Sequence, residues 1–114
     1  MPQARLRFGT FIPPHTPPEE HPALALEEDM DRVIWLDKLG YEEAWIGEHH
    51  STGWEITSSP ELFIAAVSQR TQNIRLGTGV SSLPYHNIFT LADRIRQIDY
   101  HTKGRAMFGV GPGS

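Results

Sequence analysis

The chain has no cysteine among its 114 residues, which excludes disulfides, thiolate metal sites and a cysteine nucleophile, and suits the cytoplasm. It has no basic run. Fourteen acidic against ten basic side chains give a formal charge of −4, so neither nucleic acid nor an anionic membrane surface is an expected partner. No segment approaches the roughly 18 apolar residues of a membrane span, and the opening Met1-Pro2-Gln3-Ala4-Arg5-Leu6-Arg7 lacks the apolar core of a signal peptide. A Gly-x-Gly-x-x-Gly turn is also missing after the first predicted strand, where Phe11-Ile12-Pro13-Pro14 stands instead, so a dinucleotide-binding open sheet is disfavoured.

What is present is a repeated unit. Strands are predicted at Leu6 to Phe11, Glu43 to Ile46, Ile74 to Val80 and Ala106 to Val110, spaced so that one helix fits between each pair. The segments between them show helical periodicity. Leu26, Met30, Val33 and Ile34 form one apolar stripe, and Gly40 sits where a left-handed cap would end that helix. Ser59 is a predicted N-cap with Pro60 at the first helical position, and Phe63, Ala66 and Val67 share a face. A third helix is predicted from near Asn87, with Leu91, Ala92, Ile95 and Ile98 inward, before Lys103-Gly104-Arg105 turns the chain into the last strand.

The resulting order, βαβαβαβ with parallel strands, predicts an α/β fold equal to half of a (β/α)8 barrel. A complete barrel needs about 250 residues, so residues 1–114 read as an N-terminal half truncated after strand four, or as a unit that pairs with itself or with a missing half. Its open parallel edges argue for a homo-oligomer or such a pairing over a stable monomer.

In a parallel barrel the chemistry collects where the strands end. Phe11 to Pro14, Glu48 to His50, Gly79 to Ser82 and Gly111 to Ser114 all surface at that rim. Pro13 to Pro22 holds five of the nine prolines and cannot be helix or central strand; it is a semi-rigid connection that also reaches the rim. Small residues after strands three and four let a planar ligand approach the backbone. His49 and His50 are adjacent on extended chain and point to opposite faces, so a shared metal ion is not expected. From spacing alone, Glu48 either holds one imidazole in a structural network or tunes it for acid/base work. Trp45, inside a strand, reads as core, and Trp54, in the polar loop after the histidines, as a pocket wall.

Several runs taken together resemble the bacterial luciferase-like flavin-dependent monooxygenases. They are Arg7-Phe8-Gly9, Leu39 to His50, Arg75 to Val80 with Leu83-Pro84, Ala92-Asp93, and Asp99 through Gly104-Arg105 to Gly111. The resemblance implies an enzyme in which reduced FMN, supplied by a separate flavin reductase, reacts with dioxygen, and the flavin hydroperoxide oxygenates a small organic substrate. It implies catalytic acid/base work for His49 supported by Glu48 and His50, cofactor contacts from Gly79, Val80, Ser81 and Gly111, and a cis Gly79–Val80 peptide beneath the flavin. Phe11 and Trp54 are the expected substrate contacts. Pro112 stands where that family has an arginine for the FMN phosphate, and Asn87 and Ile88 depart from its usual sequence after Leu-Pro-Tyr-His. Two other readings are a half-barrel or flavin-binding module without catalysis, and a deazaflavin-dependent oxidoreductase on the same fold.

Overall fold

The computed structural model describes residues 3–114. The elements alternate: β1 (Gly9–Ile12), α1 (Pro22–Lys38), β2 (Glu43–Ile46), α2 (Pro60–Ser68), β3 (Arg75–Ser82), a short 3-10 turn (Leu83–Tyr85), α3 (Ile88–His101) and β4 (Ala106–Gly111). All neighbouring strands are parallel, in the order β1-β2-β3-β4, which is the half-barrel arrangement expected from the repeated unit. Among the described residues no helix is long and apolar enough to cross a membrane.

The helix ends follow local chemistry. Pro22 begins α1, with His21 as the cap whose Nδ1 accepts from the Ala23 N–H at 3.2 Å. The proline-rich segment therefore hands its last residue to the helix instead of ending before it. At the other end Gly40 adopts φ +86°, the Gly40 N–H donates to Asp37 O and the Tyr41 N–H donates to Leu36 O, a Schellman closure. The same pair of bonds ends α3, from Lys103 N to Tyr100 O and from Gly104 N to Asp99 O, with Lys103 in the left-handed position at φ 55°. Asn87 caps α3 by accepting from the Thr90 N–H at 3.1 Å. Ser59 occupies the cap position of α2, but its side chain makes no capping bond.

The core lies between one face of the sheet and the helices. Ile12, Ala44, Ile46, Ile74 and Leu76 meet Val33, Phe63, Ile64, Val67 and Ile98, with Leu26, Met30, Ile34 and Ile95 packed around them. Ala66 and Ala92, expected on the inner stripes, are exposed. In α2 the buried positions are Pro60, Glu61, Phe63, Ile64, Val67 and Ser68, so the inward face passes beside Ala66. The first strand is shorter at its start than predicted: Leu6 and Phe8 are exposed, and Phe8 O accepts from the Glu42 N–H at 2.9 Å before the ladder proper begins at Gly9. β3 starts at Arg75 and continues to Ser82, and β4 continues to Gly111.

Two charged groups tie the end of the sheet away from the rim. Asp37, in the last turn of α1, accepts from the N–H groups of Gln72, Asn73 and Ile74 at 2.9, 3.0 and 2.8 Å. Arg105, just before β4, donates to Ser68 O at 3.0 Å, Ile74 O at 2.9 Å, Thr102 O at 2.9 Å and Thr71 Oγ1 at 2.9 Å. One guanidinium thus satisfies carbonyls left open at the ends of two helices and the start of a strand.

Replacing Arg105 with alanine is expected to cost about 3 kcal/mol, because several half-buried carbonyls lose a charged donor together. Urea midpoints measure the loss, and an unchanged midpoint would mean that water replaces the guanidinium at no cost. Asp37 carries an acid-limb prediction. Burial pushes its carboxyl up, but the three N–H groups and the charge of Arg105 outweigh that and hold it below its ordinary 3.8. A depressed carboxyl contributes stability that is present above the unfolded value and lost as pH falls through the folded one. Asp37→Asn should therefore flatten the fall in urea midpoint below about pH 4, while an unaltered acid limb would assign that fall to other groups.

Candidate functional site

Alternation along β2 divides its side chains between two environments. Ala44 and Ile46 enter the helix-packed core, whereas Trp45 turns to the opposite face of the sheet. Trp45 is half-buried there, with its indole N–H donating to Glu43 Oε2 at 3.2 Å, so it is not part of the core between sheet and helices. That face carries an open depression of about 540 Å³, lined by Thr10, Phe11, Trp45, Thr78, Gly79, Val80 and two further glycines. Its floor needs small residues. A Cβ added at Gly77 would lie 2.7 Å from the Trp45 ring, and one at Gly79 would lie 3.2 Å from both Phe11 Cε2 and Trp45 Cβ. At Gly109 an added Cβ would collide with the carbonyl oxygen of Thr78. The Thr78 hydroxyl fixes that approach from both sides, donating to Gly109 O at 2.8 Å and accepting from the Gly109 N–H at 3.0 Å.

The Gly79–Val80 peptide is cis, and it lies where the β3–β4 register shifts between Thr78 and Ser81. Of the four residues expected to contact a cofactor, Gly79 and Val80 line the depression. Ser81 is buried with its Oγ unpartnered, and Gly111 packs beneath Val80, where an added Cβ would stand 2.6 Å from Val80 Cγ2. Phe11 shares the depression, half-exposed, whereas Trp54 does not. Trp54 lies against the proline-rich loop, its ring 5.0 Å from that of His15 and its carbonyl accepting from the Thr16 N–H.

After Ile46 the chain leaves the sheet and presents Glu48, His49 and His50. These line a smaller cavity of about 60 Å³ together with Ser82, Tyr85, Gly113 and Ser114. Glu48 does hold an imidazole, that of His50 and not that of His49. Glu48, its side chain fully buried, meets His50 Nε2 at 3.0 Å and His86 Nε2 at 2.9 Å, and accepts from the Ser82 N–H at 3.2 Å. Burial pushes the Glu48 carboxyl up, yet these three hydrogen bonds outweigh it and hold the group below its ordinary 4.5. It is an anion that orders its neighbours.

His49 takes a different carboxylate. Its Nδ1 lies 2.5 Å from Glu55 Oε2, a close approach without the alignment of a hydrogen bond. Its Nε2 points into the rim cavity, 3.2 Å from Ser114 Oγ. The loop that carries Glu55 back is set by Ser51 at φ 64°, and Thr52 Oγ1 donates to Glu55 Oε2 at 3.1 Å while accepting from the Glu55 N–H. Glu55 and His86 are the site residues that the sequence reading missed. His86 lies inside the Leu-Pro-Tyr-His run already singled out, but Glu55 had no local signal, since its contact with His49 depends on the turn at Ser51.

Comparison with known proteins agrees with this geometry. The family described as luciferase-like monooxygenase matches residues 6–114. The chain is 56% identical over 110 residues to 4-hydroxyprotoasukamycin monooxygenase of Streptomyces nodosus subsp. asukaensis, covering 96% of this chain and 30% of that protein. It is 50% identical over 109 residues to limonene 1,2-monooxygenase of Rhodococcus erythropolis, covering 96% of this chain and 28% of that one. Among solved structures, the oxygenating constituent of 3,6-diketocamphane monooxygenase from Pseudomonas putida, in complex with FMN, superposes with a TM-score of 0.91. Its identity is 27%, and the match covers 96% of this chain and 30% of that one. The chain thus spans about 30% of the length of the relatives it matches.

Gly109→Ala tests the packing of the depression. With backbone as the obstacle, relief requires β4 to move from β3, at an expected cost of about 1–3 kcal/mol, read as a lowered thermal midpoint. A midpoint equal to wild type would show that the two strands separate freely at this point.

Proposed function

The chain belongs to the luciferase-like monooxygenase family, and from that premise we propose that it supplies the first four βα units of an FMN-dependent monooxygenase acting on a small organic substrate. The observation that carries the reading is the depression on the barrel-side face. Its floor is glycine and backbone, its walls are Phe11, Trp45 and Val80, and a planar ring system fits such a surface better than a branched one. Gly79 and Val80 would hold the ring, and Ser81, next along the same strand, has a buried Oγ without a partner. Bound reduced FMN would supply the activation of dioxygen for transfer of one oxygen atom.

The chain's own residues bind a substrate and move protons. Phe11 and Trp45 present apolar surface to a substrate. His49 offers Nε2 to the rim cavity as the proton-handling atom, while its Nδ1 rests against Glu55. Glu48 acts on the other side of the dipeptide, ordering His50 and His86 and, through the Ser82 N–H, the end of β3. At position 112, where the resemblance would place an arginine for the phosphate of FMN, proline offers no donor. A separate flavin reductase is the proposed electron source, in keeping with the description of the Pseudomonas putida relative as an oxygenating constituent.

With reduced FMN and dioxygen, the full-length protein is expected to consume oxygen and to yield a product heavier by one oxygen atom. His49→Ala is expected to lower product formation by about 10²- to 10⁴-fold while FMN still binds, by rapid-mixing turnover and fluorescence titration. Turnover equal to wild type in that variant would remove His49 from the chemistry.

A further inference from the structure

Four of the six histidines fall into two assemblies, each built on one carboxylate, and the assemblies differ in reach. Around Glu48 the carboxylate has no exposure and His86 is 9% exposed, while His50 at 34% reaches the surface about as far as His49 does. Around Glu55 they form a line outward. His49 stands at the rim cavity with 32% of its side chain exposed, Glu55 behind it is 9% exposed, and His15 beyond is 55% exposed. Glu55 Oε2 is 2.5 Å from His49 Nδ1, and Glu55 Oε1 is 3.1 Å from His15 Nε2. The two carboxylate oxygens therefore face two different imidazoles.

The two loops that carry this line are tied to each other. An antiparallel bridge joins His15 to Glu55 and another joins Thr52 to Glu55; the Thr52 hydroxyl donates to Glu55 Oε2, and the Trp54 ring packs on His15. The proline-rich loop is thereby fixed to the loop after the histidines, with Ile56 N donating to Pro14 O at 3.0 Å.

We propose that His49, Glu55 and His15 form a proton relay between the rim cavity and bulk solvent, with Glu55 positioning His49 and His15 as the solvent-side terminus. The proton count closes. Neutral His49 with its proton on Nδ1 accepts a second at Nε2 and becomes an imidazolium. The Nδ1 proton passes to Glu55 Oε2 once the two side chains turn into line. The carboxyl group turns about Cγ–Cδ and gives that proton to His15 Nε2, and His15 releases its own Nδ1 proton to water. Each N–H bond broken is matched by an O–H or N–H bond formed, and the sequence resets in reverse when His49 Nε2 returns a proton to a reacting group. Trp54 then serves as the platform that keeps the His15 ring in line.

The inference rests on the monooxygenase reading and on His49 as its proton-handling group. The test uses the full-length enzyme with reduced FMN and dioxygen at low and high buffer concentration. His15 is exposed, so His15→Ala leaves folding intact, and a thermal midpoint verifies this. In dilute buffer its turnover should fall by about tenfold with KM for the substrate unchanged, and added imidazole should restore it by serving as the missing terminus. Glu55→Gln should lose turnover that imidazole does not restore. Full turnover of His15→Ala in dilute buffer would overturn the relay, as would a loss that imidazole leaves in place or that comes with a raised KM. If His49→Ala is slow while His15→Ala is unaffected, the relay alone fails. If the wild-type enzyme oxygenates nothing, or His49→Ala matches it, the underlying reading fails and the relay with it.

Discussion

The half-barrel depends on the Arg105 guanidinium more than on any other single group. A parallel sheet leaves carbonyls facing nothing at every junction between helix and strand, and three such junctions meet beneath β3. Arg105 reaches carbonyls at the ends of α2 and α3 and at the start of β3, while Asp37 from α1 takes the N–H groups of the same connection. Together they bring all three helices to one floor. Apolar packing supplies most of the driving force for this arrangement, but packing alone is tolerant of sliding, and the paired charge-assisted bonds fix where the strands start.

With the floor set, the opposite ends of the strands are free to carry irregular structure. The residues there are polar, loop-borne and locally constrained: Ser51 in the left-handed region, the cis Gly79–Val80 peptide, and the turn of Leu83–Tyr85. The stabilising contacts and the candidate site thus occupy opposite ends of the same sheet, the division characteristic of α/β barrels. The barrel-side face contributes differently again. Its glycines exist to make room, and Trp45 fills that room from one side over Gly77.

The βα order was legible because period-2 and period-3.6 patterns are local, and so were the stops, since Gly40 and Gly104 announce their positive φ in the sequence. Pro60 marked the start of α2 for the same reason. Pairings between distant loops were not legible. Glu48 stands beside His49 in the chain, but the extended backbone turns the two side chains apart. Glu48 then meets His86, which comes from the far side of β3. Ala66 and Ala92 misled in another way, because alanine fits either face of a helix and burial is decided by its neighbours. Trp45 was half legible: its strand was placed correctly, but a half-barrel sheet has two apolar faces and the sequence does not label them.

The divergence of His49 and His50 has a consequence for how this protein can change. Because consecutive side chains of an extended segment alternate in direction, the two imidazoles occupy separate electrical neighbourhoods even though one peptide bond joins them. Point substitutions can therefore revise one neighbourhood while sparing the other. An insertion has no such freedom. One extra residue between Ile46 and Glu48 would exchange the directions of both rings at once, presenting each to the carboxylate that now serves its neighbour. The length of this short step from sheet to rim therefore constrains the site more than the identity of either histidine's surroundings.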